Sequence, residues 1–263
     1  MRFVPDLSTK KNILKFLLSL LFFLFSLLFA IVRMRSVSPL KEGLTESPII
    51  QVSTREKLLK TSRENQPGIL ETSEYLLYLP PRMDTNLKHP MVVALSPSAD
   101  AWSMIHAWEK AVGKHQWILF ASKFTSNNRT FGENLNELVP LLRSLPEDYP
   151  IDREKIIATG LSGGAMLAHF LAYQHPKLIA AVVANTGMMD DHPPELPYPR
   201  NKVAVFLASS TDFRYGDMKK NLEFLKGLGW KTRWIEFPGG HKLAPSAVYE
   251  EAADWVAQHL EGR

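Results

Sequence analysis

The sequence predicts an α/β fold with a mainly parallel β-sheet that helices cover on both faces. From residue 74 onward, short and continuously apolar runs alternate with amphipathic stretches. Continuous apolar runs are typical of strands that are buried on both faces of a parallel sheet. The chain has 263 residues, of which 45% are hydrophobic and 22% are charged. These values favour a single globular domain over a disordered or fibrous chain.

The element pattern supports this fold class segment by segment. Seven runs have the length and composition of strands, at 74–79, 91–95, 117–121, 155–159, 178–184, 203–208 and 232–236. Five stretches have helical periodicity, at 102–113, 131–145, 163–174, 215–228 and 245–260. The regular alternation of the two kinds predicts βαβ units, with helices distributed over both faces of one sheet.

The N-terminal segment predicts a membrane anchor. Residues 16–32 are apolar except for Ser19 and Ser26, and a bilayer core of about 30 Å needs roughly 20 helical residues. We therefore expect residues 1–35 to hold one transmembrane helix, and a small excess of positive charge before it favours an extracytoplasmic location for the rest of the chain. The alternative is a cleaved signal peptide, for which the only small-x-small site nearby is Ser36-Val37-Ser38.

Charge and cysteine content exclude several classes of partner and chemistry. The net charge is +4, but residues 1–35 alone carry an excess of five positive charges, so the remainder is close to neutral and predicts no nucleic-acid surface. The chain has no cysteine, which rules out disulfides, thiolate catalysis and cysteine zinc sites.

The polar, proline-containing stretch at 36–67 has no sustained periodicity, which predicts a linker between the anchor and the folded domain. The predicted organisation is thus an anchor at 1–35, a linker at 36–67 and an α/β domain at 68–263.

The strongest motif is Gly160-Leu161-Ser162-Gly163-Gly164, between a predicted strand and a predicted helix. The pattern GxSxG in this context is typical of a nucleophile elbow, in which a serine sits on a sharp turn and small residues let strand and helix approach closely. A glycine-rich turn can also be a simple tight connection. The context favours Ser162 as a nucleophile.

Ser162 needs a base, because a serine hydroxyl is a poor nucleophile at neutral pH. Of the eight histidines, only His241 follows a glycine pair, Gly239-Gly240, in the loop after the last predicted strand. The remaining histidines fit surface, helix-end or packing positions better. We therefore expect His241 to be the base.

An acid is expected between the serine and the histidine in the chain. Asp212 follows the strand at 203–208, at the carboxyl end where open α/β sheets place their sites. A helix-capping role is the structural alternative for Asp212, and Asp190 and Asp191 remain rival candidates from the neighbouring strand end.

These motifs resemble the α/β-hydrolase superfamily, and within it the compact secreted esterases related to polyhydroxybutyrate depolymerases and feruloyl esterases. The resemblance covers residues 74–260 and rests on Tyr75-Leu76-Leu77-Tyr78-Leu79-Pro80, the elbow and the loops of Asp212 and His241. It implies an oxyanion hole at the backbone N–H groups of Gly163 and Ser98, because Pro97 has no N–H. Where such enzymes usually carry His-Gly, this chain has Ser96-Pro97-Ser98, a departure that affects the shape of the oxyanion loop.

The predicted function is hydrolysis of a carboxylic ester by a serine hydrolase through an acyl-enzyme, with no metal or cofactor. Peptidase or acyltransferase activity with the same residues is one alternative, and a membrane-tethered binding protein on an inactive hydrolase fold is another. The segment 185–200 is the only room for a cap, so we expect a minimal one over an open cleft. Four residues near strand ends are candidates either for an acyl pocket or for packing: Met188, Met189, Phe213 and Tyr215.

Overall fold

The computed structural model describes residues 49–189 and 198–260. Its strands are β1 (Ile50–Val52), β2 (Gly68–Glu71), β3 (Tyr75–Leu79), β4 (His89–Leu95), β5 (Ile118–Ser122), β6 (Ile151–Leu161), β7 (Ala181–Asn185), β8 (Val203–Ala208) and β9 (Lys231–Glu236). Its helices are α1 (Arg55–Arg63), α2 (Ala101–His115), α3 (Phe131–Asp148), α4 (Gly163–Gln174), α5 (Tyr215–Gly227) and α6 (Ser246–Leu260).

All nine described strands form one sheet, in the order β1-β2-β3-β5-β4-β6-β7-β8-β9. Strand β3 is antiparallel to both of its neighbours, β2 and β5, and every other pair is parallel. The predicted α/β class with a mainly parallel sheet is therefore confirmed.

Helices cover both faces of this sheet. Helices α2 and α6 pack on one face, where the rings of Trp108 and Tyr249 lie 5.0 Å apart. Helices α1, α3, α4 and α5 contribute to the core on the other face, around buried residues such as Leu138 and Phe206. Burial of apolar side chains on both faces explains why the central strands have no polar alternation in sequence.

The linker predicted at 36–67 needs correction at its C-terminal end. Residues 50–52 form edge strand β1, which pairs with β2, and helix α1 follows directly. Thr54 caps α1 by accepting a hydrogen bond from the backbone N–H of Lys57 at 3.3 Å, and Leu58 is fully buried. Helix α1 was not predicted because it has only nine residues, most of them polar, and Leu58 is its one buried apolar residue. Such a helix gives no sustained hydrophobic period in the sequence.

Among residues 49–189 and 198–260, no helix is long and apolar enough to span a bilayer. The anchor or signal segment predicted at 1–35 lies outside these residues, as does most of the predicted cap, at 190–197.

Candidate active site

Ser162 lies on the sharp turn that joins β6 to α4. Its backbone angles are φ 54° and ψ −118°, a conformation that L-residues rarely adopt and that is typically retained at functional sites. The amide hydrogen of Ser162 is donated to the carbonyl oxygen of Asn185, at the end of β7, with an N–O distance of 2.9 Å. This bond holds the turn against the neighbouring strand.

Two glycines of the elbow are required by close backbone approach. A Cβ atom on Gly160 would lie 2.3 Å from the carbonyl carbon of Gly164, and one on Gly164 would lie 2.0 Å from the carbonyl oxygen of Leu95. Both distances are far below van der Waals contact. Only glycine at these two positions allows α4 to start so close to β4 and β6. The motif thereby places Ser162 at the carboxyl end of the sheet.

Asp212 lies in the turn after β8, and its side chain is fully buried. One carboxylate oxygen accepts a hydrogen bond from the backbone N–H of Arg214 at 2.7 Å. The other oxygen lies 2.8 Å from Nδ1 of His241. Asp212 thus closes a local turn and also binds the histidine, but it does not cap α5, whose N-cap residue is Arg214 and which has no side-chain cap hydrogen bond.

His241 completes the arrangement in the loop after β9. Gly239 and Gly240 precede it with φ values of 119° and 75°, a conformation that favours glycine, and the N–H of Gly240 donates to Oγ of Ser209 at 2.9 Å. The loop of the histidine is therefore tied to the turn that carries Asp212. Nε2 of His241 lies 2.7 Å from Oγ of Ser162.

The three side chains form one continuous hydrogen-bonded chain. With Nδ1 donating to Asp212, Nε2 of His241 is left as the acceptor for the Ser162 hydroxyl proton. The rival acids Asp190 and Asp191 lie outside the described residues.

Asn185 is a site residue that the sequence analysis did not identify. Its side chain is buried, donates to the carbonyl oxygen of Lys242 at 3.0 Å and accepts from the N–H of Ala244 at 2.7 Å and the hydroxyl of Tyr249 at 2.6 Å. Its backbone binds Ser162. The only available sequence signal was a polar residue at the end of an otherwise apolar strand.

The predicted oxyanion donors differ in availability. Gly163 is the first residue of α4, so its N–H has no intrahelical acceptor. The N–H of Ser98 is donated to Oγ of Ser96 at an N–O distance of 3.2 Å. Asn127, which the sequence analysis did not single out, lies beside Gly163: a Cβ atom on this glycine would lie 1.9 Å from its Oδ1.

The candidate pocket residues separate into two kinds. Met188 is buried, and Met189 packs against the core. The ring of Tyr215 packs on Trp234, and its hydroxyl binds Glu236, so packing accounts for these residues. Phe213 is 73% exposed, and its ring lies 4.6 Å from the ring of His241, which leaves it accessible beside the reacting groups.

No cluster of three or more histidine, cysteine, aspartate or glutamate side chains with the geometry of a metal site occurs in the part of the chain that the structure describes. At the carboxyl edge of the sheet, the described residues bring Ser162, His241 and Asp212 together through hydrogen bonds.

No family model and no curated protein matches this chain. Among solved structures, the chain is similar to a carboxylesterase of Bacillus cereus, with 15% identity, a TM-score of 0.59 and coverage of 79% of this chain and 100% of that chain. It is also similar to the S-formylglutathione hydrolase FrmB of Staphylococcus aureus, with 11% identity, a TM-score of 0.55 and coverage of 71% and 90%. Esterase PE8 gives 16% identity, a TM-score of 0.55 and coverage of 69% and 96%.

These similarities, together with the strand order and the elbow, identify the fold. The chain has the α/β-hydrolase fold, and the resemblance inferred from its motifs is confirmed at that level. The narrower resemblance to polyhydroxybutyrate depolymerases and feruloyl esterases stays a prediction.

Proposed function

We propose that this protein is a serine hydrolase that cleaves carboxylic esters through an acyl-enzyme. The observation that carries the proposal is the continuous hydrogen-bonded chain from Ser162 Oγ through His241 to Asp212, with heavy-atom distances of 2.7 and 2.8 Å. Both distances lie in the range required for proton transfer between a nucleophile and its base. A fold alone does not define an activity, so the proposal is supported by this geometry, which suits a nucleophile, a base and an acid.

In the proposed mechanism, Ser162 attacks the ester carbonyl while His241 Nε2 accepts the hydroxyl proton. Asp212 keeps the Nδ1 proton in place and stabilises the imidazolium. The imidazolium then returns the proton to the leaving alcohol as the acyl-enzyme forms. Water, deprotonated by the same nitrogen, attacks the acyl-enzyme and releases the carboxylic acid and free Ser162.

The developing oxyanion requires donors that are already aimed at it. We propose the N–H of Gly163 as one donor, since it has no intrahelical acceptor at the start of α4. Ser98 remains the proposed second donor from the sequence resemblance, provided that its N–H exchanges the hydroxyl of Ser96 for the substrate oxygen.

The substrate class is proposed from the site and from its neighbours. Solved structures of this fold similar to the chain include esterases and a carboxylesterase, and also a putative dipeptidyl aminopeptidase; because most are esterases, esters are the first substrate class to test. Phe213, exposed beside His241, offers an apolar surface for an acyl or alcohol group. Peptidase or acyltransferase activity would use the same three residues. A panel of ester, peptide and acyl-acceptor substrates distinguishes these alternatives from ester hydrolysis.

Turnover of aryl esters with acyl chains of increasing length tests this proposal. We expect the full-length protein to hydrolyse short-chain esters and Ser162→Ala to be inactive. A protein that binds such esters without hydrolysing any of them would instead support the inactive-hydrolase alternative.

We also propose that residues 1–35 anchor the protein in a membrane, with the hydrolase domain on the extracytoplasmic side. The proposal is supported by the apolar run at 16–32 and by the basic residues that flank it.

A further inference from the structure

A cavity of about 450 Å³ lies at the end of the sheet opposite Ser162. It is bounded by the C-terminal part of α3, the first half of β6 and the segment that follows α4. Ile156 lines the cavity and lies six positions before Ser162 along the strand, a distance of about 20 Å at ~3.3 Å per residue. The cavity is therefore separate from the candidate active site, and its volume lies in the range of small-molecule sites.

The lining combines a buried apolar part with exposed cations. Leu142, Pro146 and Ile156 are buried, whereas Arg143, Arg153 and Lys177 are exposed. None of the described lining residues is an aspartate or a glutamate. The cavity thus offers three positive charges next to an apolar surface.

These charges are only weakly neutralised. Arg153 lies 3.7 Å from Glu147, but Arg143 and Lys177 have no ion-pair partner among the described residues. Desolvation, and then the charge of Arg143, lower the pKa of His175 in the same lining. The carbonyl oxygens of Pro176 and Ile179 accept hydrogen bonds from Lys202 at 2.6 Å.

We propose that this cavity binds an organic anion that carries a phosphate or carboxylate head and a short apolar group. Arg143, Arg153 and Lys177 would bind the head through charge-assisted hydrogen bonds, and Leu142, Pro146 and Ile156 would contact the apolar part. A soluble metabolite and an anionic phospholipid share this chemistry.

Isothermal titration of the full-length protein in a nonionic detergent with hexyl phosphate tests the site. We expect saturable binding. Its affinity should fall at least about tenfold in the double variant Arg143→Gln/Lys177→Gln, because that variant loses one or more charged contacts to the anion. The control is Lys57→Gln/Lys231→Gln, which removes two exposed cations elsewhere and should bind as the wild type does. No binding, or equal binding by both double variants, would overturn the proposal.

Two further arms identify the ligand. Inorganic phosphate should bind more weakly than hexyl phosphate, and equal affinity would contradict the apolar half of the site. Displacement of hexyl phosphate by phosphatidic acid in mixed micelles of phosphatidylcholine and the detergent, and not by the same micelles without phosphatidic acid, assigns the site to a lipid headgroup. Binding of hexyl phosphate without such displacement assigns it to a soluble anion.

A different observation concerns the oxyanion site, and this second inference rests on the proposed function. The side-chain amide of Asn127 lies against Gly163, where an added Cβ would be 1.9 Å from Oδ1 and 2.9 Å from Nδ2. Asn127 is exposed, and its side chain has no hydrogen-bond partner among the described residues. Its backbone is fixed, because its N–H donates to the carbonyl oxygen of Pro97 at 2.9 Å.

We infer that Asn127 donates a hydrogen bond from Nδ2 to the oxyanion beside the N–H of Gly163. The N–H of Ser98, the other proposed donor, must first leave the hydroxyl of Ser96, whereas the side chain of Asn127 has no such bond to break. Rotation about the terminal side-chain torsion interchanges the positions of Oδ1 and Nδ2, so the amino group reaches the same place against Gly163. A side-chain amide is a known type of oxyanion donor and contributes about 10²-fold to 10³-fold in kcat.

The test compares Asn127→Ala and Asn127→Asp with the matched control Asn128→Ala, which alters the exposed neighbouring asparagine. We expect kcat to fall about 10²-fold in both Asn127 variants with little change in KM or Tm, and the control to keep wild-type kcat. Labelling of Ser162 by a fluorophosphonate, followed to completion, separates the two claims. A wild-type protein that is not labelled contradicts the proposed function, whereas a labelled Asn127→Ala variant with normal kcat overturns the role of Asn127 alone.

Discussion

The backbone carbonyl of Asn185 accepts the amide hydrogen of Ser162 at 2.9 Å, and the side chain of Asn185 holds the chain just after His241. One buried residue at the end of β7 therefore connects the loops of the proposed nucleophile and the proposed base. Since the two loops are 79 positions apart in sequence, this connection fixes the distance between Oγ and Nε2 more directly than chain connectivity does.

The first prediction concerns this connection. Asn185→Ala leaves the N–H of Ala244 and the hydroxyl of Tyr249 without their acceptor, so we expect the free energy of unfolding to fall by about 3 kcal/mol. We also expect kcat to fall at temperatures well below Tm, because the loop of His241 loses its anchor. Urea unfolding and steady-state kinetics measure the two effects.

The control for Asn185→Ala is Asn86→Ala, which changes an exposed asparagine and should alter neither quantity. A stability loss with unchanged kcat would show that Asn185 is structural only.

The second prediction concerns the acid. Asp212→Asn should retain the fold and lower kcat by roughly 10⁴-fold, because the amide favours the wrong imidazole tautomer. Asparagine is itself a good capping residue, so a purely local role of Asp212 predicts almost no loss. Melting temperature and turnover distinguish the two roles.

Asp217→Asn serves as a control for the second prediction, since Asp217 pairs with Lys220 on the surface. The same change at Asp190 and Asp191 tests the rival acids. Normal turnover in Asp212→Asn with a large loss in one of those two would reassign the acid.

The sequence predicted the fold class and brought together Ser162, Asp212 and His241 because their signals are local. Each lies next to a buried strand, and the elbow and the histidine loop carry glycines that the backbone requires. The first two strands and the first helix were not predicted, since β1 and β2 have only three and four residues and α1 buries little apolar surface of its own. The contacts of Asn185 and Asn127 depend on loops that are distant in sequence, and no local pattern encodes such contacts.

The third prediction concerns His169 on α4, which is buried with no hydrogen-bond partner for either ring nitrogen among the described residues. Desolvation lowers its pKa to about 3. The unfolded chain binds a proton at this position below pH 6.5, while the folded protein does not until about pH 3. Stability is therefore unaffected by this group above pH 6.5 and falls as the pH drops toward 3.

We expect His169→Leu to be more stable at pH 7 by about 1 kcal/mol, because an unsatisfied polar group is removed. The advantage should grow by up to about 1.4 kcal/mol per pH unit below pH 6. Urea unfolding at pH 7 and pH 5 measures both effects, with the exposed His106→Gln as the reference. A constant difference across that range would mean that folding does not lower the pKa of His169.

The fourth prediction concerns the N-terminal segment. A chain that begins at Ser47 keeps β1 and α1, and we expect it to be soluble and active. A chain that begins at Glu64 loses the fully buried Leu58 and both elements, so it should be less stable or fail to fold. The full chain should fractionate with membranes and resist carbonate extraction. A mature soluble form beginning near Pro39 would instead support the cleaved signal peptide.

The most direct test of the proposed function is covalent labelling of Ser162. Intact-protein and peptide mass spectrometry after treatment with a fluorophosphonate should show one adduct per chain, located on Ser162. Ser162→Ala should show no adduct, and its ester turnover should fall by roughly 10⁶-fold, the loss expected when nucleophile and base act as a unit. Undiminished labelling or turnover in Ser162→Ala would contradict the account.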